Sequence, residues 1–149
     1  MIVSFVVKNL AILNKFFLFP PLFRILRILF QFNDSTFHFS CLQNHPLGKR
    51  ALQYAEDFYF KTRPENRISS ITGKLIIHPD DYIFLDLLTS DSQDKLYEFN
   101  FVTLDKSNIK KWIYRGRFIN AAKLFSEQNK WGDLGAFKYL DNLISIMKD

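Results

Sequence analysis

A chain of 149 residues can bury a core unaided, and its single cysteine excludes a disulfide scaffold. Twenty Lys and Arg against fifteen Asp and Glu give a net charge of +5. More than half of that charge lies in the first forty residues, which leaves the remainder too near neutrality for a dedicated DNA or RNA binder.

The first acidic residue is Asp34, and the stretch before it is dense in Phe, Leu and Ile. Lys8, Lys15, Arg24 and Arg27 interrupt it, as does the pair Pro20-Pro21. A spanning helix needs roughly 20 largely apolar residues, and the prolines and scattered cations deny it that run. We therefore treat 1–32 as an apolar, basic N-terminal segment. It comprises an amphipathic helix over Ile2–Lys15, with Ser4, Lys8 and Lys15 on one face, then the proline break and a first strand. Such a segment packs on the domain or attaches to a membrane surface. The expected location is the cytoplasm, with membrane association through this segment as the alternative.

Ile28, Phe30 and Phe32 alternate with other residues, Asn33-Asp34-Ser35 supplies a turn, and Phe37, Phe39 and Cys41 alternate again. This pattern predicts an N-terminal hairpin. Pro46 suits a first helical position with Asn44 or His45 as cap. Leu47, Ala51, Tyr54, Ala55 and Phe58 then follow at helical spacing until Pro64. From Ile71 the period becomes two. Leu75 and Ile77, then Ile83, Leu85 and Leu87, then Tyr97, Phe99 and Phe101 predict a three-strand meander with polar turns at 79–81 and 90–94.

Beyond Leu104 helical character returns. Asp105 or Ser107 can cap a basic helix over 106–123, carrying Ile109, Trp112 and Ile113 and bent near Gly116. Asp133 can cap a last helix bearing Leu134, Phe137, Leu140, Ile144 and Met147. The predicted class is α+β: an antiparallel sheet, made of the meander and the N-terminal hairpin, covered by helices on one face. Residues 33–149 are read as one α+β domain.

No catalytic motif is complete. His38, Cys41 and His45 are the tightest set of metal-ligating types, but in a strand His38 and Cys41 point to opposite faces, so neither a metal nor a cofactor is expected. His78-Pro79-Asp80-Asp81 lacks the acid-x-Lys pair that a metal-dependent nuclease of the restriction-enzyme type carries on its next strand. Thr72-Gly73-Lys74 lacks the remaining glycine and hydroxyl of a phosphate loop. No motif carries a resemblance to a known family.

What the sequence does contain is a charge asymmetry. Between Asp80 and Asp105 seven acids face only Lys95, whereas Lys106, Lys110, Lys111, Arg115, Arg117 and Lys123 meet no acid before Glu127. The expectation is a non-enzymatic protein-binding module of inhibitor or immunity type, capturing a basic protein partner through acidic hairpins at Asp80, Asp81, Asp91 and Asp94. The alternative is a nucleic-acid-binding face formed by Lys110, Lys111, Tyr114, Arg115 and Arg117 on the basic helix.

Overall fold

A computed structural model describes residues 16–19, 29–130 and 138–149. The amphipathic helix expected over Ile2–Lys15, the Pro20-Pro21 break and the cap at Asp133 lie outside the described residues. The chain divides into two compact units, Met1–Phe60 and Lys61–Asp149. This division falls elsewhere than the compositional boundary at 32/33, which marks where acidic residues begin.

In the first unit, β1 (Phe16–Leu18) pairs antiparallel with β2 (Thr36–His38), with Phe17 opposite Phe37. The expected pairing across Asn33-Asp34-Ser35 is corrected here, because Phe30–Phe32 is a single 3-10 turn and the partner of β2 lies farther upstream. A second correction follows directly after β2. Phe39–Asn44 forms a short helix, α1, which buries Leu42, so Phe39 and Cys41 do not continue the strand. Helix α2 (Gly48–Thr62) buries Ala51, Tyr54 and Ala55, the helical-period positions read from the sequence. It starts two residues later than Pro46, because the turn after α1 runs through His45–Leu47, closed by Gly48 N–H donating to the His45 carbonyl at 3.0 Å. Aromatic edges fill the interior: Phe17 on Phe19 at 4.7 Å, Phe19 on Phe32 at 5.3 Å, and Phe32 on Phe37 at 5.3 Å.

In the second unit, β3 (Tyr82–Leu85) pairs antiparallel with β4 (Val102–Asp105). Register places Ile83 opposite Leu104 and Leu85 opposite Val102, so one face of the pair is aliphatic. That face is covered by Phe118, Ala121, Ala122 and Phe125 of α3 (Arg115–Glu127) and by Leu140, Leu143, Ile144 and Met147 of α4 (Tyr139–Lys148). The molecule is α+β, with helices packed on one side of this sheet. Its edges are also occupied. Ser70 N–H donates to the Thr103 carbonyl at 2.8 Å, and the Tyr139 hydroxyl sits between the Phe84 carbonyl and the Asp86 N–H at 3.3 and 3.4 Å.

The three-strand meander is not seen, for reasons that differ by segment. Tyr97–Phe99 is a 3-10 turn in which Leu96 and Phe99, three apart, both face the core while Tyr97 and Glu98 are exposed. Phe101 then takes a left-handed backbone with φ 60°, which starts β4 one residue later. Leu75 makes only an isolated bridge to Ile68. It is Ile76 that is buried, with Leu75 and Ile77 exposed on either side.

The face of β4 away from the helices carries a buried polar knot. Asp105 accepts hydrogen bonds from the Ser69 hydroxyl and from the Asn108 side-chain amide, and the Ser69 oxygen in turn accepts the Ile71 and Thr72 N–H groups at 3.0 and 3.2 Å. Asp105 is 4% exposed. Asp105→Ala should therefore strand the Ser69 and Asn108 donors and cost about 1–3 kcal/mol. Chemical denaturation measures the loss, and hydrogen exchange at Ile71 and Thr72 should quicken with it. An unchanged midpoint would show that the knot contributes nothing to stability.

Candidate functional site

The four acids singled out in the sequence do not share a fate. Pro79–Asp81 is a 3-10 turn with Pro79 in its first position, which suits proline's fixed φ. Asp80 there faces water. Asp81 is turned onto the segment after β4 instead, where its two carboxylate oxygens accept the Ser107 N–H at 2.6 Å and the Ser107 hydroxyl at 3.1 Å. Asp91 is exposed and closes a local turn by accepting the Gln93 N–H at 2.9 Å. Asp94 is only 7% exposed at its side chain, where it pairs with Lys130 and accepts the Leu96 N–H at 2.8 Å. Asp80 and Asp81 thus sit in the turn before β3 and Asp91 and Asp94 in the connection from β3 to β4, and Asp81 and Asp94 are committed to internal contacts.

The cationic residues are also redistributed. A continuous helix over 106–123 does not form. Lys106–Lys111 is a 3-10 helix, Trp112–Tyr114 interrupts, and α3 begins at Arg115. The cause is packing: Ile109 and Trp112, three apart, are both buried, and Trp112 meets the rings of Phe99 at 5.8 Å and Phe118 at 5.9 Å. Lys110, Tyr114 and Arg117 consequently do not form one stripe of a single helix. Arg117 pairs with Glu98 at 2.7 Å and lies 6.0 Å from the Tyr114 ring. Both partners of that ion pair are well exposed, so it is worth no more than about 1 kcal/mol. Arg115 is half-buried, whereas Ile113 and Tyr114 are 83% and 47% exposed.

Where the 3-10 helix meets the end of α4 there is an open cleft of about 710 Å³. Its floor is aliphatic, mainly half-buried Ile146 with Ile109 all but buried beneath, and its charged lining is Lys106, Lys110 and Lys111 together with Asp81 and Asp149. Lys111 Nζ donates to the Asn108 side-chain oxygen at 2.9 Å. Lys106 and Lys110 are exposed and make no ion pair among the described residues. The run of lysines was visible in the sequence. Ile146 was not assigned there, since nothing in a helical period says which end of another element will lie beside it.

His38 and Cys41 are exposed, and the His45 Nδ1 accepts the Leu47 N–H at 3.1 Å. Among the described residues no group of three His, Cys, Asp or Glu side chains could hold a metal ion. Three described side chains outside the cleft lining, Glu56, Tyr59 and Tyr82, have displaced pKa values. Burial pushes the Tyr59 hydroxyl up, and pushes Glu56 up with help from neighbouring Asp57. Burial raises Tyr82 too, against the opposing pull of the Arg67 guanidinium, which lies 4.6 Å from its ring. No described helix is long and apolar enough to cross a membrane.

Comparison with protein-family models, with characterised proteins and with solved structures finds no match for this chain.

Proposed function

We propose that the chain is a non-enzymatic protein-binding module and that its contact surface is the lysine-rimmed cleft of the Lys61–Asp149 unit. The observation that carries this reading is the pair of exposed lysines, Lys106 and Lys110, which make no ion pair among the described residues and line the cleft with Ile146. Charges that face water without an internal partner can steer an oppositely charged surface toward them, and the floor offers area from which water can be expelled. A basic partner met by acidic turns has less support, because Asp81 and Asp94 are already engaged by Ser107 and Lys130.

A nucleic-acid partner is the weaker reading. The Lys61–Asp149 unit holds fourteen basic and twelve acidic side chains, whereas phosphate-tracking surfaces are strongly basic. The test is capture from extract of the native host on immobilised full-length protein, after nuclease treatment and at about 0.15 M salt. We expect a discrete protein to be retained, and its recovery to fall at least about tenfold with Lys106→Glu/Lys110→Glu/Lys111→Glu. Asp80→Lys/Asp91→Lys should leave recovery unchanged. Capture that requires nucleic acid, or that is lost with the aspartate variant and survives the lysine one, would overturn the reading.

A further inference from the structure

We infer that the occupant of the cleft is an acidic peptide segment with aliphatic side chains at its centre, an inference that rests on the protein-binding reading above. Charged and apolar side chains line the cleft together. Lys106 and Lys110 lie at the rim, and Lys111 is held beside them by Asn108. Their ammonium groups suit carboxylates, and lysine's four-carbon stem can add apolar surface beside Ile146. A lone phosphate or a nucleic-acid backbone would use the rim and leave the floor wet. The rim also carries Asp81 and Asp149, which repel a chain of closely spaced phosphates more than a peptide whose acids can be placed between them. Single-stranded nucleic acid is usually held by aromatic stacking platforms, and among the described residues the cleft lining includes no aromatic ring. An acidic segment with Leu or Ile at its middle satisfies both halves of the cleft: carboxylates to the lysines, and a side chain or two to the isoleucines.

Fluorescence anisotropy of the full-length protein with a short synthetic peptide, in which Asp and Glu flank a central Leu-Leu pair, tests this directly. Saturable binding is expected, weakening as salt is raised. Lys106→Glu/Lys110→Glu should weaken it about tenfold or more, and so should replacing Leu-Leu by Ser-Ser in the peptide. A thymidine oligonucleotide of equal charge should compete poorly. Equal affinity for the Ser-Ser peptide would show that the floor is unused and overturn the inference, as would tighter binding of the oligonucleotide or no saturable binding of the leucine peptide. If the peptide fails while capture from extract still disappears with the lysine reversal, the occupant is misassigned and the contact surface stands. If capture also survives that reversal, the protein-binding reading of the cleft falls with it.

Discussion

Phe118→Ala should lower the stability of the Lys61–Asp149 unit by about 3–5 kcal/mol, a large share of the roughly 5–15 kcal/mol that holds a domain folded. Phe118 is fully buried, at the meeting point of α3 with the 3-10 segments on either side of β4. Its ring stands edge-on to Phe99 at 5.3 Å and tilted against Trp112 at 5.9 Å, while Phe99 and Trp112 meet each other edge-on at 5.8 Å. Removing one member of such a trio opens a cavity and also loses two aromatic contacts, one edge-on and one tilted, of about 0.5–1.5 kcal/mol each. Trp112 is what anchors the interruption between the lysine-bearing 3-10 helix and α3, so the variant should loosen the cleft as well as the core. Thermal unfolding followed by circular dichroism should show a midpoint lower by roughly 12 °C or more. Phe118→Leu, which keeps most of the volume and loses the ring edges, should cost less, about 1–2 kcal/mol. Equal effects from the two variants would mean that ring geometry does not matter there.

Gly48→Ala is the second large effect, and its sign is diagnostic. Alanine at the start of a helix is ordinarily neutral or helpful, because glycine loses about 0.8–1 kcal/mol of helix propensity relative to it. At Gly48 the added Cβ would stand 1.8 Å from the Leu42 carbonyl oxygen and 2.7 Å from its carbon. Both are backbone atoms of α1, so no side chain can swing aside, and the two helices must move apart. The expected cost is about 3 kcal/mol, at the upper end of what overpacking exacts. Gly116 is the control. It lies in the first turn of α3 with nothing within 4 Å of an added Cβ, so Gly116→Ala should be neutral or stabilise by up to about 1 kcal/mol. Paired urea titrations read both variants. A stabilised Gly48→Ala would contradict the close α1–α2 approach.

Much of the fold was legible wherever a long period had no competitor. The helical spacing of Ala51, Tyr54 and Ala55 and that of Leu140, Ile144 and Met147 both describe buried faces, and Ile83 and Leu85 alternate as a strand should. Short aromatic-rich stretches were less readable, because three or four residues are too few to tell a period of three from a period of two. Tyr97, Phe99 and Phe101 alternate, yet the pair that reports the structure is Leu96 with Phe99. The strand that does form, Val102–Asp105, offers a weak sequence signal because its second face is made of Thr103 and Asp105, both buried through polar contacts or packing. In the N-terminal unit a local turn, Asn33-Asp34-Ser35, pointed to a local partner, but β2 pairs with a segment some twenty residues away.

The charge asymmetry was legible as composition and not as surface. Sequence separates the acids at 80–105 from the bases at 106–123. The fold joins the two runs at Glu98 and Arg117, turns Asp81 onto the neutral Ser107, and sends Asp94 to Lys130. No periodicity carries that information, because it depends on which turn of one segment passes beside another. Lys106 and Lys110 are left facing water.

Backbone amide shifts of the full-length protein, recorded by NMR while the leucine-centred acidic peptide is added, test the cleft assignment most directly. Perturbations should concentrate at Lys106–Lys111 and at Ile146 and leave Asp80 and Asp91 still. Shifts centred instead on the Asp80 and Asp91 turns, or an unchanged spectrum at saturating peptide, would contradict it.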